Sequence, residues 1–290
     1  MATDDTAHCS VRLMKVWRKC HPPGEASDLE AFWDSRADAF DRRCADRSSR
    51  DYAAALVRRI HELARLQPAD TCLDLGCGTG SLALPLAKRL GSVTACDISG
   101  QMIRHLQARA RQEHLDNVVA LQRRWMDLVP FRDIGAHDLV IAHRSLSVIA
   151  CDREGTPDFV DCITRMNQLA RRAVFIIPRA FDLPADDQFA DQFPEFARGP
   201  AGRAADLATL NLLFAMGIFP CLDYVSLRQV RRFASVEEEV AGFGYYFGVT
   251  AKRRLKRLGE YLTRHATRHD DGYSLPTATR VLLMWWPKAL

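Results

Sequence analysis

The sequence has no cysteine pair at CxxC spacing, no uninterrupted apolar run of membrane length and little imbalance of charge. Its nine cysteines are an odd number and are scattered. Without close pairs they form neither a disulfide scaffold nor a zinc ribbon, and they read as reduced thiols, several of them small buried apolar residues. A spanning helix needs about 20 consecutive apolar residues, and the polar, acidic start MATDDTAHCS lacks the positive-then-apolar pattern of a secretory signal. The expectation is a soluble cytoplasmic protein with no membrane partner. Lys and Arg number 40 against 36 Asp and Glu, a net charge of +4, which permits a nucleic-acid partner without arguing for one. No metal-ligating cluster stands out, and no metal is expected.

What is present is the stretch TCLDLGCGTGS at residues 71–81. Cys72, Leu73 and Leu75 form a short apolar run, three alternating glycines follow at Gly76, Gly78 and Gly80, and LALPLAKRL then reads as a helix. Glycine accepts positive φ and lets a ligand lie against bare main chain, so the turn forms a floor, unless it is an ordinary glycine loop. The dinucleotide fingerprint G-x-G-x-x-G is the competitor, but the third glycine comes one residue early and Ser81 holds the place of the expected glycine. Asp74, two residues before the first glycine, would attract a cationic group and repel a pyrophosphate. A second apolar run, SVTACDIS, ends on Asp97, placed to accept hydrogen bonds from two ribose hydroxyls.

Acid, glycine turn, helix, strand and second acid in this order resemble the nucleoside-binding half of class I S-adenosylmethionine-dependent methyltransferases. The resemblance implies an α/β fold with a seven-stranded, mostly parallel, doubly wound Rossmann-like sheet whose last strand is antiparallel, and S-adenosyl-L-methionine as cofactor. It implies Asp74, Gly76, Cys77, Gly78, Gly80 and Asp97 as cofactor-binding residues. Ile98 and Met102, just after the second acid, either flank the adenine or pack in the core. After the third strand, NVVALQRRW, the family often places a carboxylate for the adenine amino group. Here that position is Trp125, so either Asp127 accepts the amino group or Trp125 contacts the ring, with Met126 between them.

Alternating strands and helices from residue 71 onward argue for a parallel sheet covered on both faces. The fourth strand and its loop, LVIAHRSLSVI, bring His143, Arg144 and Ser145 to the sheet edge where donor and acceptor meet. His143 is a candidate general base and cofactor neighbour, unless it merely packs, and Arg144 a candidate catalytic residue. No N-P-P-Y or D-P-P-Y string occurs there, which counts against the exocyclic-amine DNA methyltransferases. Arg179, ending the fifth strand, would meet an anionic substrate or be a solvated loop arginine.

Residues 1–48 read as an N-terminal arm and lid helix, and 49–290 as the methyltransferase domain with insertions at 180–203 and 234–278. The arm around Trp17 either folds over the active site or is a surface extension. The run LEAFWDSRADAFDRRC, capped by Ser27 or Asp28, reads as one amphipathic helix. It is similar to the leading helix of many small-molecule methyltransferases, which implies Trp33 and Arg36 on the substrate side; core packing and a solvated arginine are the alternative. A further helix, capped by Ser48 or Ser49, runs to Leu66. Residues 180–203 look like a loop insertion over the site that sets substrate choice. In the second insertion a basic helix carries Lys252, Arg253, Lys256, Arg257 and Arg264 around a leucine stripe, a solvated face or an RNA contact. The leading reading is methyl transfer to a small molecule. The alternatives are an RNA (tRNA) methyltransferase and a non-catalytic module that binds S-adenosylmethionine.

Overall fold

The computed structural model describes residues 12–19, 28–178, 183–186, 188–194, 200–247 and 249–288. They divide into two compact units, one drawn from 1–179, 208–225 and 282–290 and the other from 180–207 and 226–281.

The first unit is built on β1 (Thr71–Leu75), β2 (Ser92–Asp97), β3 (Val118–Gln122), β4 (His137–His143) and β5 (Ala170–Ile177), parallel and in the order β3-β2-β1-β4-β5. Leu73, Leu75, Val93, Val140, Ile141 and Val174 are wholly buried, as parallel strands covered on both faces require. The last residues of β9 (Gly272–Pro287) run antiparallel to β5, with Phe175 opposite Trp285. Strand order reverses between β1 and β4, so the carboxyl ends of those strands open a crevice. There Leu75 pairs with Ala142.

Four helices precede the sheet: α1 (residues 12–19), α2 (Leu29–Asp34), α3 (Ala37–Ala45) and α4 (Arg47–Ala64). The single helix expected over this lid segment is two. Asp28 caps α2 by accepting the Glu30 and Ala31 amides, and the Ser35 hydroxyl donates to the Phe32 carbonyl at 2.9 Å, where the helix stops. Helix α4 is capped by Asp46, whose carboxylate accepts the Ser48 amide, rather than by a serine; an anion suits the positive end of a helix. Trp17 also departs from both expectations. It is fully buried, 5.2 Å from Phe159, and its indole N–H donates to Thr209 Oγ1 at 3.1 Å. Helix α1 is part of the core, so its tryptophan is not available to a nucleic acid.

Between the strands lie α5 (Ala83–Ala87), α6 (Gly100–Gln112), α7 (Leu146–Ile149) and α8 (Phe159–Leu169). Helix α6 starts where Ser99 Oγ accepts the Met102 amide, and it buries Met102, Ile103, Leu106 and Ala110 at helical spacing.

The second unit contains β6 (Leu183–Pro184), α9 (Phe189–Gln192), α11 (Val236–Phe247), α12 (Lys252–His265) and β8 (Thr267–His269), with α10 (Pro200–Ala215) and β7 (Cys221–Phe233) each shared between the units. Within residues 180–203, Phe189 and Phe193 lie in this unit's core, 5.2 and 5.4 Å from Tyr261. Buried phenyl area explains why a segment this acidic is held in a core. β6, β7 and β8 pair with β9, which brings the strands of the described sheet to nine.

Candidate cofactor and acceptor site

The turn after β1 takes φ of +68° at Gly76, +55° at Gly78 and +87° at Gly80, a left-handed run that side chains disfavour. Its amides are spoken for. Gly76 and Cys77 donate to the Cys96 carbonyl at 2.8 and 3.1 Å, Gly78 donates to Asp97 Oδ2 at 2.8 Å, and Ser99 donates to Asp97 Oδ1 at 2.9 Å. Asp97 therefore ties the turn to the end of β2. A Cβ built on Gly76 would stand 2.3 Å from Ser145 Cβ, and one on Gly78 would stand 3.1 Å from the Phe40 ring. The cradle is walled by the β4 turn on one side and by α3 on the other.

Asp74 lies beneath this cradle with 1% exposure, and among the described residues neither carboxylate oxygen has a hydrogen-bond partner. Burial, and then the charge of Asp97, raise its pKa to about 7, against a lowering pull from the Ala83 amide. Asp97 is also raised, by burial first, although the Ser99, Gly78 and Ile98 amides oppose this. A buried acid without a partner is costly, and two acids side by side repel each other, so the pair calls for a cation. S-adenosylmethionine carries a sulfonium, an ammonium and a ribose diol, and these residues fit it: Asp74 can meet positive charge, Asp97 has lone pairs left for hydroxyls, and the glycines leave bare main chain for close approach. A pyrophosphate would meet two carboxylates.

The lid helices are fastened over α6. Asp34 Oδ1 accepts the Ser99 hydroxyl at 2.5 Å and the Gln101 amide at 3.0 Å. Burial raises the Asp34 carboxyl, but Ser99, Gln101 and the Arg104 charge outweigh it and hold the group below its usual value. Gln122 donates to Glu30 at 3.0 Å, and His105 faces Asp38 at 2.8 Å and Asp41 at 3.5 Å. This seats Phe40 against Gly78.

At the crevice edge the Tyr52 hydroxyl lies 3.0 Å from His143 Nε2, with the two rings stacked at 5.7 Å. Burial, and then the Arg144 charge, lower the His143 pKa to about 3. An imidazole held this way is neutral near pH 7 and is a weaker base than a free one, while its ring nitrogen stays a hydrogen-bond partner of Tyr52. Arg144 is left-handed at φ +59°, and its amide donates to the Ile177 carbonyl at 2.7 Å.

The other expected residues are placed unevenly. Cys77 is buried in the turn, its thiol held well above the usual pKa first by burial. Ile98 is half-buried beside Asp97, while Met102 is 2% exposed in the core. Trp125 is sealed in the core at 2% exposure, Met126 packs on that core, and Asp127 is exposed and bound by Arg153 through both oxygens at 3.2 and 2.9 Å. Competition from Arg153 draws the Asp127 carboxylate into a surface ion pair. Trp33 has a buried indole N–H with no partner among the described residues. Arg36 is exposed, with its guanidinium 3.7 Å over the Phe32 ring and bonded to the Phe32 carbonyl, a cation–π contact within the lid helices. Arg179 lies outside the described residues. Sequence reasoning did not assign Phe40, Tyr52 or Asp34 to the site; Asp34 and Phe40 lie in the LEAFWDSRADAF run, whereas Tyr52 carried no signal.

Among known proteins, a family model described as a methyltransferase domain matches residues 72–188. An uncharacterized protein of Haemophilus influenzae is 23% identical over 257 residues, covering 88% of each chain. A 2-phytyl-1,4-naphtoquinone methyltransferase of Nostoc is 41% identical over 71 residues, 23% of this chain and 31% of that one. A mouse tRNA (uracil-5-)-methyltransferase homolog A is 27% identical over 153 residues, 52% of this chain and 23% of that one. The chain thus spans less than a third of the length of these last two relatives. The magnesium protoporphyrin IX methyltransferase of Synechocystis, solved with bound S-adenosylmethionine, is 17% identical, with 92% of this chain and 90% of that one covered and a TM-score of 0.41.

Sheet order, the glycine turn with its carboxylates and the family match together define the class. The chain carries a methyltransferase domain, matched over residues 72–188, on a sheet whose parallel strands run in the order β3-β2-β1-β4-β5. Among the described residues no helix is long and apolar enough to cross a membrane.

Proposed function

We propose that the chain methylates a small-molecule acceptor. The observation that carries this reading is the roof over the turn: α2 is fastened to α6 through Asp34, α3 through Asp38 and Asp41 against His105, and Phe40 rests on Gly78. A roof held this close favours an acceptor small enough to fit beneath it, and the match to a naphthoquinone methyltransferase supports the same reading.

When bound, S-adenosylmethionine supplies an electrophilic methyl group. The residues assigned to it are Asp74 for positive charge, Gly76, Cys77, Gly78 and Gly80 for main-chain contact, Asp97 for the ribose, and Ile98 rather than the more deeply buried Met102 beside the adenine. Trp33, with its unpaired indole N–H, is assigned to the acceptor side. The protein's contribution is alignment and exclusion of water, and alignment alone is worth roughly 7 to 11 kcal/mol. No proton transfer by His143 is required.

Methyl-labelled cofactor, incubated with a cell extract split into low-molecular-weight metabolites and total RNA, tests this. Label entering the metabolites supports the proposal, and label entering only RNA overturns it. The RNA reading has its own support in the exposed basic face of α12 and the tRNA methyltransferase match. It predicts retention on tRNA that falls with salt and is lost on reversing Arg253 and Arg257.

A further inference from the structure

We infer that the turn after β4 binds an acidic acceptor, with Arg144 meeting its negative charge beside the hydrogen-bonded Tyr52–His143 pair; this deepens the small-molecule reading and rests on it. The placement comes first. Leu75 pairs with Ala142, so residues 143–145 continue alongside the glycine turn. Ser145 closes that contact, its hydroxyl donating to the Leu75 carbonyl at 2.5 Å and its Cβ packed on Gly76. Arg144 is therefore set between two residues that belong to the wall of the site.

The second point is the state of Arg144 itself. Its backbone is left-handed and pinned into the sheet edge by the 2.7 Å bond to Ile177, a conformation uncommon for a residue with a side chain. Its guanidinium is exposed and, among the described residues, makes no ion pair or side-chain hydrogen bond. Arg171 and Arg172 on β5 are, by contrast, each bound to a carboxylate, Asp138 and Asp70. A planar guanidinium is suited to a carboxylate or another oxyanion.

The third point is what the neighbouring pair can do. Tyr52 and His143, 3.0 Å apart and stacked, offer hydrogen bonds to a polar group, while His143 stays neutral and a poor base. An acceptor that arrives ionised has no proton to lose. Its oxyanion forms the new carbon–oxygen bond with its own lone pair, the carbon–sulfur bond breaks, and the sulfur keeps that electron pair. The acceptor's negative charge and the sulfonium's positive charge disappear together. The class indicated is an oxygen acid: a carboxylic acid, or a phenol or enol acidic enough to ionise near neutral pH. Its methylated product is neutral and loses its hold on Arg144, which assists release.

The test separates a metabolite extract on an anion exchanger and supplies each fraction with labelled S-adenosylmethionine. The expected result is label in the retained, acidic fraction. With the acceptor in that fraction, Arg144→Gln raises KM about 10- to 100-fold, Arg144→Lys recovers part of the loss, and calorimetric affinity for S-adenosylmethionine is unchanged in both. Label confined to the neutral or cationic fractions, or a KM unmoved by Arg144→Gln, overturns this inference and leaves the small-molecule reading standing. Label in no metabolite fraction overturns both.

Discussion

The floor and the roof of the site are made by different means. The floor is one contiguous stretch, residues 71–99, in which main-chain amides, three left-handed glycines, the buried Asp74 and the half-buried Asp97 lie together: Asp97 alone accepts the Gly78 and Ser99 amides. The roof is assembled from side chains far apart in sequence, with Asp34 reaching Ser99, Phe40 reaching Gly78 and Tyr52 reaching His143. A floor built from backbone tolerates almost no substitution, whereas a roof built from single polar contacts can be loosened one bond at a time.

Gly76→Ala strikes the floor at its tightest point. The new Cβ would stand 2.3 Å from Ser145 Cβ at φ +68°. Strain and overpacking predict a loss of about 3 kcal/mol in denaturant unfolding, together with loss of calorimetric cofactor binding. Retained binding would mean that the turn is not the rigid part.

Next comes acidity. With its pKa at about 7, Asp74 is about one-tenth ionised at pH 6 and about three-quarters ionised at pH 7.5. If only the ionised form holds the cation, affinity for S-adenosylmethionine improves about eightfold across that range. Asp74→Asn flattens the dependence. The free protein has the opposite sign: an acid whose folded pKa is raised makes stability fall as pH rises from about 4 to 7, and then level off.

Asp34→Ala tests the roof. It removes two hydrogen bonds and should cost about 1 to 2 kcal/mol of stability, with faster cofactor exchange but cofactor affinity within a few-fold. A loss as large as that of Gly76→Ala would erase the distinction. The smallest effect is expected at Arg253→Glu on the exposed face of α12, with stability within about 0.5 kcal/mol and unchanged transfer to small acceptors. Lost activity there would favour the RNA reading.

The same contrast explains what could be read from the sequence. Asp74, the glycines and Asp97 are local, so spacing alone reveals them, and the apolar runs of β1, β4 and β5 announce a sheet buried on both faces. The roof is tertiary. Nothing in the helical spacing of α4 marks Tyr52 as the partner of a histidine 91 positions later. Phe189 and Phe193 looked like loop residues because their partner, Tyr261, comes from a distant helix. Trp17, in a basic segment, gave no sign of the buried Thr209 hydroxyl that holds it. The partner of Asp127 was hidden for a similar reason: Arg153 lies 26 residues beyond it.

The central claim is that Asp97 and the glycine turn hold S-adenosylmethionine. Calorimetric titration of the cofactor into the wild-type protein and into Asp97→Ala at pH 7.5 addresses it most directly. The account predicts one-to-one binding to the wild type, weakened at least about tenfold in the variant as charge-assisted hydrogen bonds are lost. Equal affinity in the two proteins, or no heat with the wild type, would contradict it.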